Sequence, residues 1–325
     1  MAEPDWSSIA VVGAGALGSY FGGLLARSGK PVTLIGRRPH VEAIRRNGLL
    51  LQSRDGEEQI AVSASTDVEA VRGAELVLFC VKSLDTDTAA AAMAPYLAPE
   101  AVILSLQNGV DNPERIGRHV KNEVIPVLVY AGANIPAPGS VRHTGGGDIV
   151  IGRLAKFRRG GETDRHLLDG IAALFTGAGV NVTISGDVEA DLWIKLLMNC
   201  AYNAISALGD APYGRMVATP QVRELMLDAA REVAAVAKAK GIGLPDDILQ
   251  SAMKLADTMP QTRSSTAQDI AKGRPTEIEH LNGYMVREGE ALGVATPVNR
   301  ALNALIQLLE QTDHPRKHDH PSGGR

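Results

Sequence analysis

Several features are missing from this 325-residue chain, and each absence narrows what it does. No apolar run reaches the roughly 18 residues that a helix needs to cross a bilayer, so no transmembrane span and no membrane partner are expected. There are only two cysteines, Cys80 and Cys200, both inside apolar stretches, where reduced, buried thiols are the ordinary reading rather than a disulfide scaffold. The formal net charge of −4 gives no electrostatic reason to bind nucleic acid or an anionic surface. Residues 1–5 lack a charged-then-apolar leader pattern, so a cytoplasmic location is expected. No internal repeat is visible. What remains is an ordinary globular composition, 45% hydrophobic and 22% charged, long enough for two domains.

The most telling stretch lies near the start. Ile9-Ala10-Val11-Val12 runs into Gly13-Ala14-Gly15-Ala16-Leu17-Gly18, a G-x-G-x-x-G turn, and apolar residues at helical spacing follow (Tyr20, Phe21, Leu24, Leu25). This is strand, tight turn and helix. The first glycine permits the turn, the second lets a pyrophosphate approach the backbone, and the third lets helix pack close on strand. The six residues from Gly13 to Gly18 are therefore candidate contacts to a dinucleotide seated on the helix N-terminus. The next strand, Val32-Thr33-Leu34-Ile35, ends at Gly36-Arg37-Arg38, where NAD-preferring proteins carry an acid for the ribose 2′-hydroxyl. No acid is present there. A guanidinium attracts a 2′-phosphate, so Arg37 predicts NADPH rather than NADH, against the plainer reading of two solvated surface charges.

Up to about residue 152, strand-like and helix-like segments alternate. A strand pair is expected around residues 49–52 and 59–62, strands at 75–81 and 101–106, a helix at 87–94, and a hairpin of 124–134 with 141–151 around Pro136-Ala137-Pro138-Gly139. Near-continuous apolar strands suit a parallel sheet covered on both faces. Residues 153–165 read as an exposed basic loop leading into another helix, and a last strand is expected at 180–184. From Asp187 the texture becomes almost purely helical, at 192–208, 222–240, 248–259, 265–272, 276–292 and 297–311, punctuated by Pro and Gly. The expected fold is α/β: an N-terminal Rossmann-type dinucleotide-binding domain (1–186) followed by an all-helical C-terminal domain (187–313). Residues 314–325, with three His, two Pro and two Gly, read as a disordered tail, a metal-binding tail being the lesser reading.

Ligands of open α/β sheets bind outside the carboxyl ends of the strands. Lys82, in Val81-Lys82-Ser83, and Asn108, in Gln107-Asn108-Gly109, each follow such an end, although a surface lysine and an Asn-Gly turn remain open readings. In the helical half, Lys195, Asn199 and Asn203 stand at i, i+4 and i+8 among apolar and small residues. Asparagine disfavours helix, so its presence there points to hydrogen bonding in a cleft rather than to a solvated stripe. Partial desolvation is expected to lower the lysine's pKa toward the range of a proton donor. Ser264-Ser265-Thr266-Ala267-Gln268-Asp269 and Glu277 form a second polar cluster. Here capping is an equal reading, with Gln268 in the capping-box place of Ser265 and Glu277 as a first-turn acid.

Together these motifs resemble the ketopantoate reductase (2-dehydropantoate 2-reductase) family across nearly the whole chain and in its order. The carrying pieces are Gly13–Gly18, Val81-Lys82, Gln107-Asn108-Gly109, Lys195-x3-Asn199-x3-Asn203, and Ser264-Ser265-Thr266-x-Gln268-Asp269 with Glu277. The resemblance implies NADPH-dependent reduction of 2-dehydropantoate to pantoate, a step toward pantothenate and coenzyme A. It implies that Lys195 is the general acid and that Asn199, Asn203 and Ser265 hold the substrate. Asn108 and Glu277 would contact both substrate and cofactor, and Ala133 the cofactor. Two departures are visible: Tyr213 and Thr262 stand where members of the family often carry Asn. They leave open a reductase of another small-molecule 2-keto acid. A β-hydroxyacid dehydrogenase is disfavoured by the second Asn and the Ser265/Glu277 spacing, and a non-catalytic NADP-binding sensor by the presence of Lys195. A homodimer is compatible with the chain.

Overall fold

A computed structural model describes residues 6–157 and 162–312. The expectations for residues 1–5, for 158–161 of the basic loop and for the tail lie outside the described residues. The described chain forms two compact units, one ending at Leu192 and the other beginning at Trp193. The change of texture read at Ser185-Gly186 precedes this division, which falls early in the helix Val188–Leu208. Among the described residues no helix is long and apolar enough to cross a membrane.

The first unit is built on ten strands: β1 (Ile9–Val12), β2 (Val32–Ile35), β3 (Leu49–Ser53), β4 (Gly56–Ile60), β5 (Ser63–Ser65), β6 (Leu76–Phe79), β7 (Val102–Ser105), β8 (Val124–Asn134), β9 (Ser140–Ile151) and β10 (Val182–Ile184). Their order is β4-β3-β9-β8-β7-β6-β1-β2-β5, with β10 beside β9. From β5 to β8 every pairing is parallel. The β8–β9 hairpin is antiparallel, as its proline-rich turn predicts, and so is β3–β4. Side chains alternate between faces with the strand period. Ile9 and Val11 of β1, with Leu76, Leu78 and Leu104, pack under Phe21, Leu25, Ile171 and Phe175 of the helices Ala16–Arg27 and Glu162–Gly177. Ala10 and Val12, with Val77, Phe79 and Ile103, pack on the other face with Ala90, Met93 and Ile116 of the helices Thr86–Met93 and Asn112–Gly117. Each such fully buried Val, Leu, Ile or Phe contributes roughly 1.5–3 kcal/mol.

Three local readings are corrected by the structure. The edge strand β5 and the helices Arg38–Asn47 and Asn112–Gly117 add to the expected elements. The segment expected as one helix over 276–292 is a short turn of helix at Ile278–His280 and a separate helix Asn282–Leu292. The break frees the Glu279 carbonyl, which accepts from Arg287 Nη2 at 2.9 Å, while the Thr276 amide donates to Glu310 Oε1 at 2.6 Å. The basic loop begins differently too: Arg153 is buried rather than solvated. Its guanidinium makes a two-pronged pair with Glu123, Nη2 donating to Oε2 at 2.5 Å and Nε to Oε1. A charge is tolerated in such a place only with this kind of partner.

The second unit is helical, with Tyr213–Ala218, Pro220–Ala239, Ile248–Thr258, Ser265–Ala271, Asn282–Leu292 and Pro297–Thr312 joining the greater part of Val188–Leu208. Its interior holds Leu196, Leu197, Tyr202, Met226, Val233, Met285 and Ile306. A carboxylate organises one corner. Glu232 accepts the amides of Val298 and Asn299 at 2.8 and 2.9 Å, closing the N-terminal turn of Pro297–Thr312, which has no acid of its own.

Removal of Glu123 leaves Arg153 charged and buried. Glu123→Ala is expected to lower unfolding stability by about 3–5 kcal/mol, measured by denaturant titration. Loss of less than about 1 kcal/mol would show that Arg153 reaches solvent readily.

Candidate active site

In the first unit the site is set by strand register. Ile35, Val12, Phe79 and Ser105 are successive register partners across β2, β1, β6 and β7. The four parallel strands therefore end side by side, and the loops leaving them carry Arg37, the Gly13–Gly18 turn, Lys82 and Asn108. β8 continues beyond Pro126, the register partner of Ser105, and bears Ala133.

Each glycine of the turn meets a separate demand. Gly13 has φ +98, and a Cβ on it would lie 2.7 Å from the Val81 amide nitrogen. A Cβ on Gly18 would lie 2.2 Å from the Gly13 carbonyl oxygen and 3.1 Å from Cys80 Cβ, so only hydrogen lets this helix approach the strands. Gly15 is different: it is exposed, and its nearest heavy atom would be 4.0 Å away. That open floor, in front of a helix whose first turn has no capping side chain and no acid, fits the pyrophosphate of a dinucleotide. Arg37 is exposed at the N-cap of Arg38–Asn47, with no ion pair among the described residues, whereas Arg38 pairs with Glu42 at 3.7 Å.

A buried polar network fixes the loops that carry Lys82 and Asn108. Gln107 Nε2 donates to the Val81 carbonyl at 3.0 Å and to Thr86 Oγ1 at 2.7 Å. The Asn108 carbonyl accepts from Ser83 Oγ at 3.1 Å and from Asn112 Nδ2 at 2.6 Å. Thr86 Oγ1 donates to Asn112 Oδ1 at 2.8 Å. Gln107, Ser83, Thr86 and Asn112 are all buried. Sequence reasoning missed them, although a run of small polar residues just after two apolar strands was a usable signal.

In the second unit Lys195, Asn199 and Asn203 share one face of Val188–Leu208. Lys195 is partly buried, and desolvation lowers its pKa from 10.5 to about 8, with the negative charge of Glu277 pulling the other way. The Asn199 side-chain nitrogen is buried and finds no hydrogen-bond partner among the described residues. A buried N–H donor without an acceptor is costly unless a ligand supplies one. Asn203 is buried as well. This helix is tethered from behind: Asn282 Nδ2 donates to the Cys200 carbonyl at 3.2 Å and to Asn299 Oδ1 at 2.9 Å. Asn299 Nδ2 in turn donates to Glu232 Oε2 at 2.7 Å. Burial pushes the Cys200 thiol up and does the same at Cys80, so neither is a thiolate.

The serine pair divides its work, and the capping expectation shifts by one residue. Ser264, not Ser265, is the N-cap of Ser265–Ala271, accepting the Ala267 amide at 3.0 Å. Its hydroxyl donates to the Asn203 carbonyl at 2.9 Å, and its amide donates to Ser206 Oγ at 3.1 Å. Ser265 is left exposed at the first helical position, on a segment docked directly onto the Lys195 helix. Glu277 is not a first-turn acid: it precedes the short turn Ile278–His280, held between the Thr276–Glu310 contact and the Glu279–Arg287 pair at 3.0 Å. Tyr213 is buried, 4.6 Å between centroids from the Tyr202 ring, and its amide donates to the Thr262 carbonyl at 3.0 Å. The two positions that depart from the family's usual Asn are thus neighbours.

The profile of the family described as ketopantoate reductase PanE/ApbA matches residues 9–156, and that of its C-terminal domain matches residues 187–310. A 2-dehydropantoate 2-reductase of Halobacterium salinarum is 35% identical over 306 residues, covering 93% of this chain and 99% of that relative. A solved PanE/ApbA family ketopantoate reductase from Ralstonia eutropha JMP134 superposes with a TM-score of 0.87 at 47% identity, over 94% of this chain and 99% of that one. A D-mandelate dehydrogenase solved with NADH and anilino(oxo)acetate reaches a TM-score of 0.86 at 24% identity, over 94% of this chain and 99% of its own, a likeness of fold alone.

Because the folded pKa of Lys195 lies below its unfolded value, the cost of burying its charge is fully present below pH 8 and is relieved as pH rises from about 8 to 10.5. Lys195→Met is therefore expected to raise stability at pH 7 by about 1 kcal/mol, the gain shrinking above pH 8, in unfolding measured across pH. A destabilised Met variant at pH 7 would mean that the ammonium is well solvated or well paired.

Proposed function

The chain belongs to the ketopantoate reductase family, oxidoreductases acting on a CH–OH group, and from that membership we propose that it reduces 2-dehydropantoate to pantoate with NADPH. The observation that carries the reading is Lys195, held to about pKa 8 on an apolar helix beside the Asn199 side-chain nitrogen, which finds no partner among the described residues. Ketone reduction builds negative charge on the carbonyl oxygen and ends by protonating it. Bound NADPH supplies the hydride. Lys195 donates a hydrogen bond to the ketone oxygen, stabilises the developing charge and delivers the proton, leaving a hydroxyl; the neutral amine regains its proton from water. Glu277 keeps a larger fraction of Lys195 protonated at neutral pH. The amides of Asn199 and Asn203 and the hydroxyl of Ser265 hold the substrate's oxygens. Asn108, in the first unit, and Glu277, in the second, keep the ligand-binding roles that the family resemblance gives them.

Gly15 and the first turn of Ala16–Arg27 would hold the cofactor's pyrophosphate, with Lys82 and Ala133 as further contacts. Arg37 would hold the 2′-phosphate, being the exposed guanidinium after β2 that carries no ion pair among the described residues. The adjacency of Tyr213 and Thr262 favours one second reading, the same chemistry on a different 2-keto acid, since those two positions jointly shape one place in the helical unit.

Oxidation of NADPH by purified protein, followed by nicotinamide absorbance, tests both readings with 2-dehydropantoate beside a panel of 2-keto acids. Turnover confined to another keto acid would move the substrate and keep the mechanism. Lys195→Ala is expected to lower kcat by about a hundredfold to ten-thousandfold while NADPH binding stays close to that of the parent. In the parent, kcat/KM should fall as pH rises through about 8, where Lys195 loses the proton it must donate. A flat profile there, or near-parental turnover of the alanine variant, would remove Lys195 from the role. Arg37→Ala is expected to erode the preference for NADPH over NADH by about tenfold or more, read from the ratio of their kcat/KM values. An unchanged ratio would assign the 2′-phosphate to another group.

A further inference from the structure

We propose that His40 is a positioning residue for the reading of the cofactor's 2′-phosphate, a neutral imidazole that ties the glycine-turn helix and the β8–β9 hairpin to the helix capped by Arg37. The inference rests on the NADPH reading above.

His40 is buried, and both ring nitrogens are engaged. Nδ1 accepts the Gly139 amide at 2.9 Å, so the ring proton sits on Nε2, which donates to Ser19 Oγ at 3.0 Å. One ring thus joins residues 21 and 99 positions away along the chain. Ser19 belongs to the helix that follows the glycine turn, and its amide donates to the Gly15 carbonyl at 2.9 Å. Gly139, at φ +79, is the hairpin residue that can come this close, because a Cβ on it would lie 2.8 Å from Ala43 Cβ. The amides of His40 and Val41 each donate to the Arg37 carbonyl at 3.1 Å, so whatever holds His40 holds the backbone of Arg37.

Anchorage matters here because the Arg37 side chain is exposed and has no ion pair among the described residues to orient it. Its aim toward a 2′-phosphate comes from the backbone at the start of Arg38–Asn47. At the far end of that helix Arg45 Nε donates to the Ala64 carbonyl at 2.8 Å; at the near end the polar tie is His40. Burial alone lowers the imidazole's pKa, which keeps the ring in the neutral form that can accept from Gly139. An apolar side chain would fill the space without fixing the angle. A neutral ring with one acceptor and one donor fixes it.

The test compares dissociation constants for NADPH and NADH in the parent, His40→Phe, His40→Gln, Ser19→Ala and Arg37→Ala, with thermal melts to confirm folding. Phe keeps a flat ring without hydrogen bonds, whereas the Gln amide offers an acceptor and a donor spaced much like the two ring nitrogens. His40→Phe is expected to weaken NADPH about tenfold, the scale of one or two lost buried hydrogen bonds, while NADH binding and kcat at saturating NADPH stay near parental values. His40→Gln should recover most of the NADPH-to-NADH ratio, and Ser19→Ala should lower it a few-fold, on the scale of one lost hydrogen bond. An unchanged ratio in His40→Phe, or equal weakening of both dinucleotides, would overturn the proposal and leave His40 a packing residue. Should His40→Phe fail to fold, the ratios in Ser19→Ala and His40→Gln decide in the same way. Arg37→Ala separates the two failures. If it lowers the ratio while the His40 and Ser19 variants do not, only the role of His40 falls; if it leaves the ratio intact, the NADPH reading falls and takes this inference with it.

Discussion

Parallel pairing in register is the constraint on which the first unit depends. A parallel ladder leaves each strand running the same way, so every strand delivers its following loop to one edge of the sheet. In this chain Ile35, Val12, Phe79 and Ser105 finish level with one another, and four loops from widely separated sequence meet without any long-range design of their own. Shifting a strand by one residue would exchange its two buried faces, so the packing that stabilises the sheet also holds the loops in place. Apolar burial on both faces is thus the source of geometry for the polar chemistry at the edge.

The helical unit solves a different problem. A lysine whose pKa is brought down to about 8 must be kept from water, and that arrangement opposes folding. The opposing cost is met by holding its helix from several directions. Asn282 takes the Cys200 carbonyl, Asn299 holds Asn282 and is itself held by Glu232, and Ser264 takes the Asn203 carbonyl. These bonds are buried or partly buried and directional, so they fix the rotation of the helix about its axis, which apolar packing alone specifies less sharply.

Much of this was legible from sequence where the signal is local. The glycine turn could be read because its strand, its glycine spacing and its helix follow one another directly in sequence. The Lys195-Asn199-Asn203 stripe could be read because helical period alone puts the three on one face. What escaped reading depends on partners far along the chain. Arg153 looks like the start of a solvated basic loop until Glu123, 30 residues away, is found opposite it. Residues 276–292 keep a helical apolar pattern, and the break comes at Leu281, with φ −113 and ψ −96, where Arg287 satisfies the carbonyl that the break exposes. The cap at Ser264 was misread by one position because adjacent serines are equivalent in composition, and only the extended backbone of Ser264, φ −62 and ψ 161, separates them.

That one-residue division between the serines has an evolutionary consequence. Ser264 carries the cap, the contact to Asn203 and the contact to Ser206, while Ser265 carries none of these and faces outward. The fold's bonds and the proposed substrate contact are thereby assigned to neighbouring codons rather than to one. Position 265 is thus free to drift without loss of those bonds, and position 264 acts as the fixed pin on which the segment hangs.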